Sequence, residues 1–270
     1  TCDCHFHIFG PFDRYPLSPG RGYTPEACLI PDYRAVAEAL GIERMVVVQP
    51  SVYGTDNQCL IDALQALDGR ARGVAVIDAG FSVTRLRLLH EAGVRGVRVN
   101  LESAGLHDAG HAERALVTVC ARVAELGWHV QLYAAHGVIA ALGDKLATLP
   151  CPVVLDHFAM APWSPANAKA LIRWLQSGRV HLKLSAPYRL ATPGDAARWA
   201  QALCKEAPGA LLWGSDWPHT ARAPGKAPHE VSPYRQIAPA QLLEDIGAWL
   251  PTPGLRQTVL ADNPDRLYWN

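Results

Sequence analysis

The chain opens Asp3-Cys4-His5-Phe6-His7. Side chains alternate along a strand, so Asp3, His5 and His7 are expected on one face and Cys2, Cys4, Phe6 and Ile8 on the other. The apolar face should meet helices and the polar face should point inward. Two imidazoles two residues apart can converge on one metal ion or one substrate oxygen; the alternative is a pair of satisfied core histidines. A second imidazole, His157, follows Asp156 at the end of the apolar run Val153-Val-Leu. Burying it is costly without a partner, which is either a ligand or Asp156. Near the C-terminus stands Trp213-Gly-Ser-Asp216-Trp-Pro-His219. A carboxylate where a strand ends can take a proton from water; it can also cap a helix. Arg98, in Gly96-Val-Arg-Val-Asn100, alternates with valines and should point inward. A buried guanidinium calls for an anion, here a substrate carboxylate or an internal pair with Glu102 or Asp3. Ser51, Gln131, Tyr133, Lys183, Ser185, Tyr188 and Arg189 are individually weak signals, and Ser51 also suits ordinary turn chemistry. All of them fall at strand ends.

Positioning these groups requires a regular scaffold. Short β-rich runs recur at 2–9, 45–50, 71–77, 94–100, 129–135, 153–158, 180–186 and 211–217. Helical patterns alternate with them at 31–40, 57–67, 84–92, 111–126, 138–149, 165–176 and 195–207, and 238–268 reads as further helices. Eight strands alternating with helices predict a closed parallel (β/α)₈ TIM barrel, and 270 residues suit one such domain over 1–270. Segments 10–31 and 219–239 are rich in Pro and Gly and follow strands. They should lie at the C-terminal mouth, where active sites of this fold form.

Lys plus Arg and Asp plus Glu are both 25, with a pI near 7.1. Nothing therefore points to nucleic acid or a membrane surface as a partner. Charge selectivity must come from a few local residues. Seven cysteines without a CxxC pair read as reduced thiols in a cytoplasmic protein. No apolar run is long enough to span a bilayer and no signal peptide is visible. The partner expected is a small anionic molecule, with a homo-oligomer left open.

The motifs DCHFH, LDH and WGSDWPH resemble the amidohydrolase superfamily, and the match runs to the closing segment 262–268. Within it, PSVYGTDN (50–57), GVRVN (96–100) and WHVQLYAA (128–135) are similar to 2-pyrone-4,6-dicarboxylate lactonases and their relatives, lactone hydrolases of aromatic and sugar-acid breakdown. The resemblance implies the same barrel. It implies Asp216 as the general base, and His5, His7 and His157 as groups that polarise the lactone carbonyl and stabilise its oxyanion. It implies Arg98 as a carboxylate grip, with Tyr23, Ser51, Tyr133 and Arg189 completing an anion pocket. One feature departs from the pattern. The lactonases carry a second arginine soon after the first, where this chain reads Leu101-Glu-Ser-Ala-Gly105. Substrates with one carboxylate or a sulfonate, or a neutral sugar lactone, then fit as well as a dicarboxylate.

Metal-dependent members place a histidine on strand five and, for two ions, a bridging Lys or Glu on strand four. Here Tyr133 and Arg98 stand on those strands, so no metal is favoured. A single zinc or manganese on His5, His7 and Asp216 is the alternative. It goes with a second reading, a metal-dependent decarboxylase or C–C hydrolase. A non-catalytic barrel that only binds a small acid is the third.

Overall fold

The computed structural model describes residues 1–222 and 225–270. The eight expected runs form one sheet: β1 (Cys2–Phe6), β2 (Arg44–Val48), β3 (Ala71–Ala75), β4 (Val94–Asn100), β5 (His129–Tyr133), β6 (Val153–Leu155), β7 (Val180–Leu184) and β8 (Leu211–Trp213). Each pairs in parallel with the next in sequence. The first and last meet through a parallel bridge, Phe6 to Trp217, with Asp216 N donating to His5 O (2.8 Å) and His7 N to Trp217 O (2.9 Å). The sheet thereby closes into the (β/α)₈ barrel.

Seven helices return the chain between strands: α1 (Ile30–Ala39), α2 (Gln58–Ala66), α3 (Val83–Glu91), α4 (Ala109–Val123), α5 (His136–Leu142), α6 (Pro165–Leu175) and α7 (Asp195–Glu206). Their starts are written locally. Ser82, Asp108 and Ser164 each accept a hydrogen bond from the backbone three residues on, and Pro165 occupies the first turn of α6. α8 (Pro239–Trp249) and α9 (Pro253–Gln257) follow the barrel.

Alternation divides each strand. Val47, Val97, Val99, Val130, Leu132, Val153, Leu155 and Trp213 pack outward in the large core beneath the helices. Cys2, Cys4, Val46, Val48, Val74, Val154 and Leu212 form a second, smaller core inside the barrel, with Tyr268 joining it. The expected two-faced β1 is corrected here. Its pairing with β2 shifts register between Asp3 and Phe6. Such a bulge re-aims side chains: Cys2 and Cys4 face the interior rather than the helices, and Asp3 turns toward Tyr33 of α1. Phe6 stacks on Tyr33 at 3.6 Å between ring centroids.

Most observed strands end before the predicted ones, because the residues that follow leave the ladder to face the mouth. Residues 157–160 all adopt positive φ, as does Asp216 (φ 56°). Left-handed backbone at non-glycine residues is uncommon and concentrates at functional sites. Across the β1–β8 seam, a Cβ on Gly214 would stand 2.6 Å from His5 Cβ and 3.0 Å from His5 N. Only glycine allows that approach.

The two Pro/Gly-rich loops meet over the mouth, as expected. Thr24–Pro25 pairs in parallel with Val231–Ser232, and Thr24 Oγ1 donates to Pro228 O at 2.7 Å.

Candidate active site

Asp216 sits just past β8 and is almost wholly buried. Its two oxygens differ. Oδ2 accepts hydrogen bonds from Tyr188 OH (2.7 Å) and from Arg189 Nη2 (2.6 Å) and Nε (2.9 Å). Among the described residues, Oδ1 has no hydrogen-bond partner. It faces Nε2 of three imidazoles: His5 at 3.5 Å, His157 at 3.7 Å and His7 at 3.8 Å. Burial by itself raises the Asp216 carboxyl. Arg189, with smaller contributions from the three histidines, brings it the other way, and together they hold the group well below the usual carboxylate range. The helix-cap alternative for Asp216 is set aside, since its backbone turns directly into a tight turn closed by His219 N donating to its carbonyl at 2.7 Å.

The histidines are oriented from behind. His7 Nδ1 lies 2.7 Å from Val48 O. A carbonyl only accepts, so the Nδ1 proton is present and neutral His7 presents a bare Nε2. Burial lowers His7 to about 4 and His157 to about 3. Both are therefore neutral near pH 7. His157 Nδ1 pairs with Ser185 Oγ at 2.8 Å.

Asp156 does not hold His157. It is the hub of a buried charge cluster beneath the site. Its Oδ2 accepts from Arg98 Nη2 (3.1 Å) and Nε (3.3 Å) and from Gln131 Nε2 (3.0 Å). Its Oδ1 lies 3.7 Å from Lys183 Nζ, and 3.2 Å from His5 Nδ1 without a hydrogen-bonding angle. Arg98's protein anion is thus Asp156, not Glu102 or Asp3. Asp3 instead accepts from Ser215 Oγ (2.6 Å) and N (2.9 Å), His5 N (3.0 Å) and Tyr33 OH (3.0 Å), lacing β1 to the end of β8.

Lys183, fully buried, donates to Gln131 Oε1 (2.6 Å) and lies 3.3 Å from His5 Nδ1. The His5 and His7 Nε2 atoms face each other at 3.3 Å. Lys183, His5, His7 and Val48 O thus form one buried polar chain.

A cavity of about 260 Å³ opens above this floor. It is lined by His7, Tyr23, Ser51, Arg98, Tyr133 and Arg189, which brings all five sequence-predicted pocket residues to one wall with the histidine floor. Ser51 does so from a short helical turn, Ser51–Tyr53. Burial pushes the Tyr23 phenol up to about 12, leaving it a neutral donor. Residues not singled out also contribute: Ser103, Thr220, Arg222 and Arg235 line the cavity beside Glu102, and Tyr188, one of the weak strand-end signals, holds Asp216. Arg222 and Arg235 lie in the loop expected at the mouth, but nothing in their spacing marks them.

Whether the donor set fits a metal can be tested on geometry. Two ligands about 2.1 Å from a tetrahedral ion stand about 3.4 Å apart. His5, His7 and Asp216 have separations of 3.3, 3.5 and 3.8 Å. These residues could therefore hold a single divalent ion.

The sequence pattern of the amidohydrolase family matches residues 2–269. A 2-pyrone-4,6-dicarboxylate hydrolase of Comamonas testosteroni is 34% identical, over 99% of this chain and 89% of its own. A 4-sulfomuconolactone hydrolase of Rhizobium radiobacter is 33% identical, over 98% and 89%. Among solved structures, an Agrobacterium tumefaciens protein in its apo form superimposes with a TM-score of 0.84 at 23% identity, covering 100% of this chain and 95% of the other. Fold, motifs and family pattern coincide over nearly the whole sequence, and the chain belongs to the amidohydrolase family.

Proposed function

We propose that this protein hydrolyses a small anionic lactone, with Asp216 as general base. The observation that carries the reading is the asymmetry of Asp216. One oxygen is saturated by Tyr188 and Arg189, and the other is buried, unpartnered and aimed at the histidine floor. A water at Oδ1 would give up its proton there while its oxygen bonds to the lactone carbonyl carbon. The ring C–O bond then breaks, and the departing oxygen recovers the proton to give a hydroxy acid. His157, whose Nδ1 pairs with Ser185 Oγ, would present an Nε2 proton to the carbonyl oxygen in the tautomer where Ser185 donates. His5 and His7 wall the water on the β1 side. The relatives named as lactone hydrolases support this reaction class. A lactone panel followed with a pH indicator tests it. We expect base consumption with at least one carboxylated or sulfonated lactone. No turnover of any lactone, with or without added zinc or manganese, overturns the proposal.

The reaction is assigned to the protein's own groups. Arg189 pairs with Asp216 Oδ2, which leaves Oδ1 to take the proton from water. If a zinc or manganese ion were bound by His5, His7 and Asp216, it would polarise the carbonyl and acidify water. Exhaustive chelation is expected to leave lactone turnover unchanged, with metal well below one equivalent by elemental analysis. Activity that disappears on chelation and returns with zinc would shift the assignment to the metal.

A further inference from the structure

The four arginines around the cavity are not equivalent. Arg98 and Arg189 each face a protein carboxylate, Asp156 and Asp216, at 3.1 and 2.6 Å. Each already has a carboxylate partner within the protein. Arg222 and Arg235 come from the loop after β8. Arg222 Nη2 donates to Ser103 O at 2.7 Å, and Arg235 Nη1 donates to Thr220 O. Among the described residues, neither has a carboxylate at ion-pair distance.

We propose that Arg222 and Arg235 form the subsite for one anionic substituent of the substrate, carried away from the lactone carbonyl. The proposal rests on the lactonase reading. It places the cationic clamp on the loop after the last strand, in a chain that lacks a base at Leu101–Gly105. Both guanidiniums are set in place rather than free. Arg235 lies over the Tyr188 ring at 4.6 Å to the centroid. Arg222 is tied to the loop after β4 through Ser103 O, and passes so close to the loop after β1 that a Cβ on Gly22 would stand 2.8 Å from its Nη2. Three loops therefore fix its position, and glycine at 22 makes the room. Planar guanidiniums suit a carboxylate or a sulfonate. Glu102, the one acidic residue lining the cavity among those described, leaves its Oε2 buried and unpartnered. It is one acidic group on a lining that carries two arginines without a carboxylate partner among the described residues.

The test compares two probes, an unsaturated five-membered lactone bearing a carboxymethyl group and its methyl ester. The wild type should prefer the acid in kcat/KM. Arg222→Met and Arg235→Met should each lower that acid-to-ester preference about tenfold, the loss of one charge-assisted contact. Gly22→Ala should lower it in the same direction by displacing Arg222, with its charge kept. Arg235→Lys should restore part of the preference lost in Arg235→Met. Equal losses on both probes, or an unmoved preference, would overturn the clamp. Arg222→Met guards against disturbance of Asp216 through Tyr188, because Arg222 does not touch Tyr188. Calorimetric binding of the ring-opened dicarboxylic acid separates the two readings. If the wild type opens no lactone but binds this acid through Arg222 and Arg235, the lactonase reading fails and the clamp stands. If it opens lactones with a preference indifferent to both arginines, the clamp fails and the lactonase reading stands.

Discussion

Asp216→Asn is expected to lower kcat by about 10²–10⁴-fold, the usual contribution of a positioned general base, while substrate still binds. The direction follows from which atom lands where. Arg189 and Tyr188 are donors aimed at Oδ2. The amide oxygen of an asparagine must occupy that position, since only it accepts. The amide nitrogen is then placed at Oδ1, facing the histidines, where it has no lone pair to receive a proton. Volume, burial and the contacts of Arg189 are retained, so KM should change far less than kcat. The wild-type carboxyl is held well below its ordinary range by Arg189. A group with a depressed pKa stays ionised until the pH falls through that low value. Asp216 should therefore impose no acid limb near neutrality. Steady-state kinetics on whichever lactone the wild type opens, with calorimetric binding of the product acid, provides the measurement. A variant that keeps kcat within about tenfold of wild type would remove Asp216 from the role of base.

The second large effect concerns stability. Asp156→Asn should cost about 3–5 kcal/mol, the usual penalty for breaking a buried ion pair from one side. Asp156 is the carboxylate shared by Arg98 and Lys183, and Lys183 has no solvent exposure. With a neutral amide in its place, two cations share the barrel interior without a counter-charge. Burial raises the Asp156 carboxyl, but His5, Lys183 and Arg98 together bring it well below the usual range. Its contribution is accordingly present above the unfolded carboxyl value of about 4 and is lost only as the pH falls through the lower folded value. Urea unfolding of the variant at neutral pH reads the loss. A decrease under about 1 kcal/mol would show that Asp156 is not the counter-ion the geometry describes. Activity should fall as well, because Lys183 and His5 lose their common anchor.

Much of this was legible in the sequence, for a physical reason. Strands buried on both faces are short apolar runs, so a polar residue at such a run's end, like His157 or Asp216, stands out as aimed at the mouth. Asp156 lay beside His157 and was legible as a partner, but both follow the end of β6, where the backbone turns left-handed from His157 and strand alternation no longer says which side chains meet. Its true partners, Arg98, Gln131 and Lys183, come from three other strands, which no local pattern reveals. Asp3 misled through alternation, because one register shift reverses facing. Arg222 and Arg235 lie in an aperiodic loop, where only the folded path decides what a side chain reaches.

The β1–β8 seam has a consequence for synthesis. His5 and His7 are made first, and Asp216 about two hundred residues later. Asp3 and Gly214 bring these ends together only when the barrel shuts. A growing chain therefore carries its histidines without their acid partner until the eighth strand has left the ribosome. The lock that completes the cylinder also arms the enzyme.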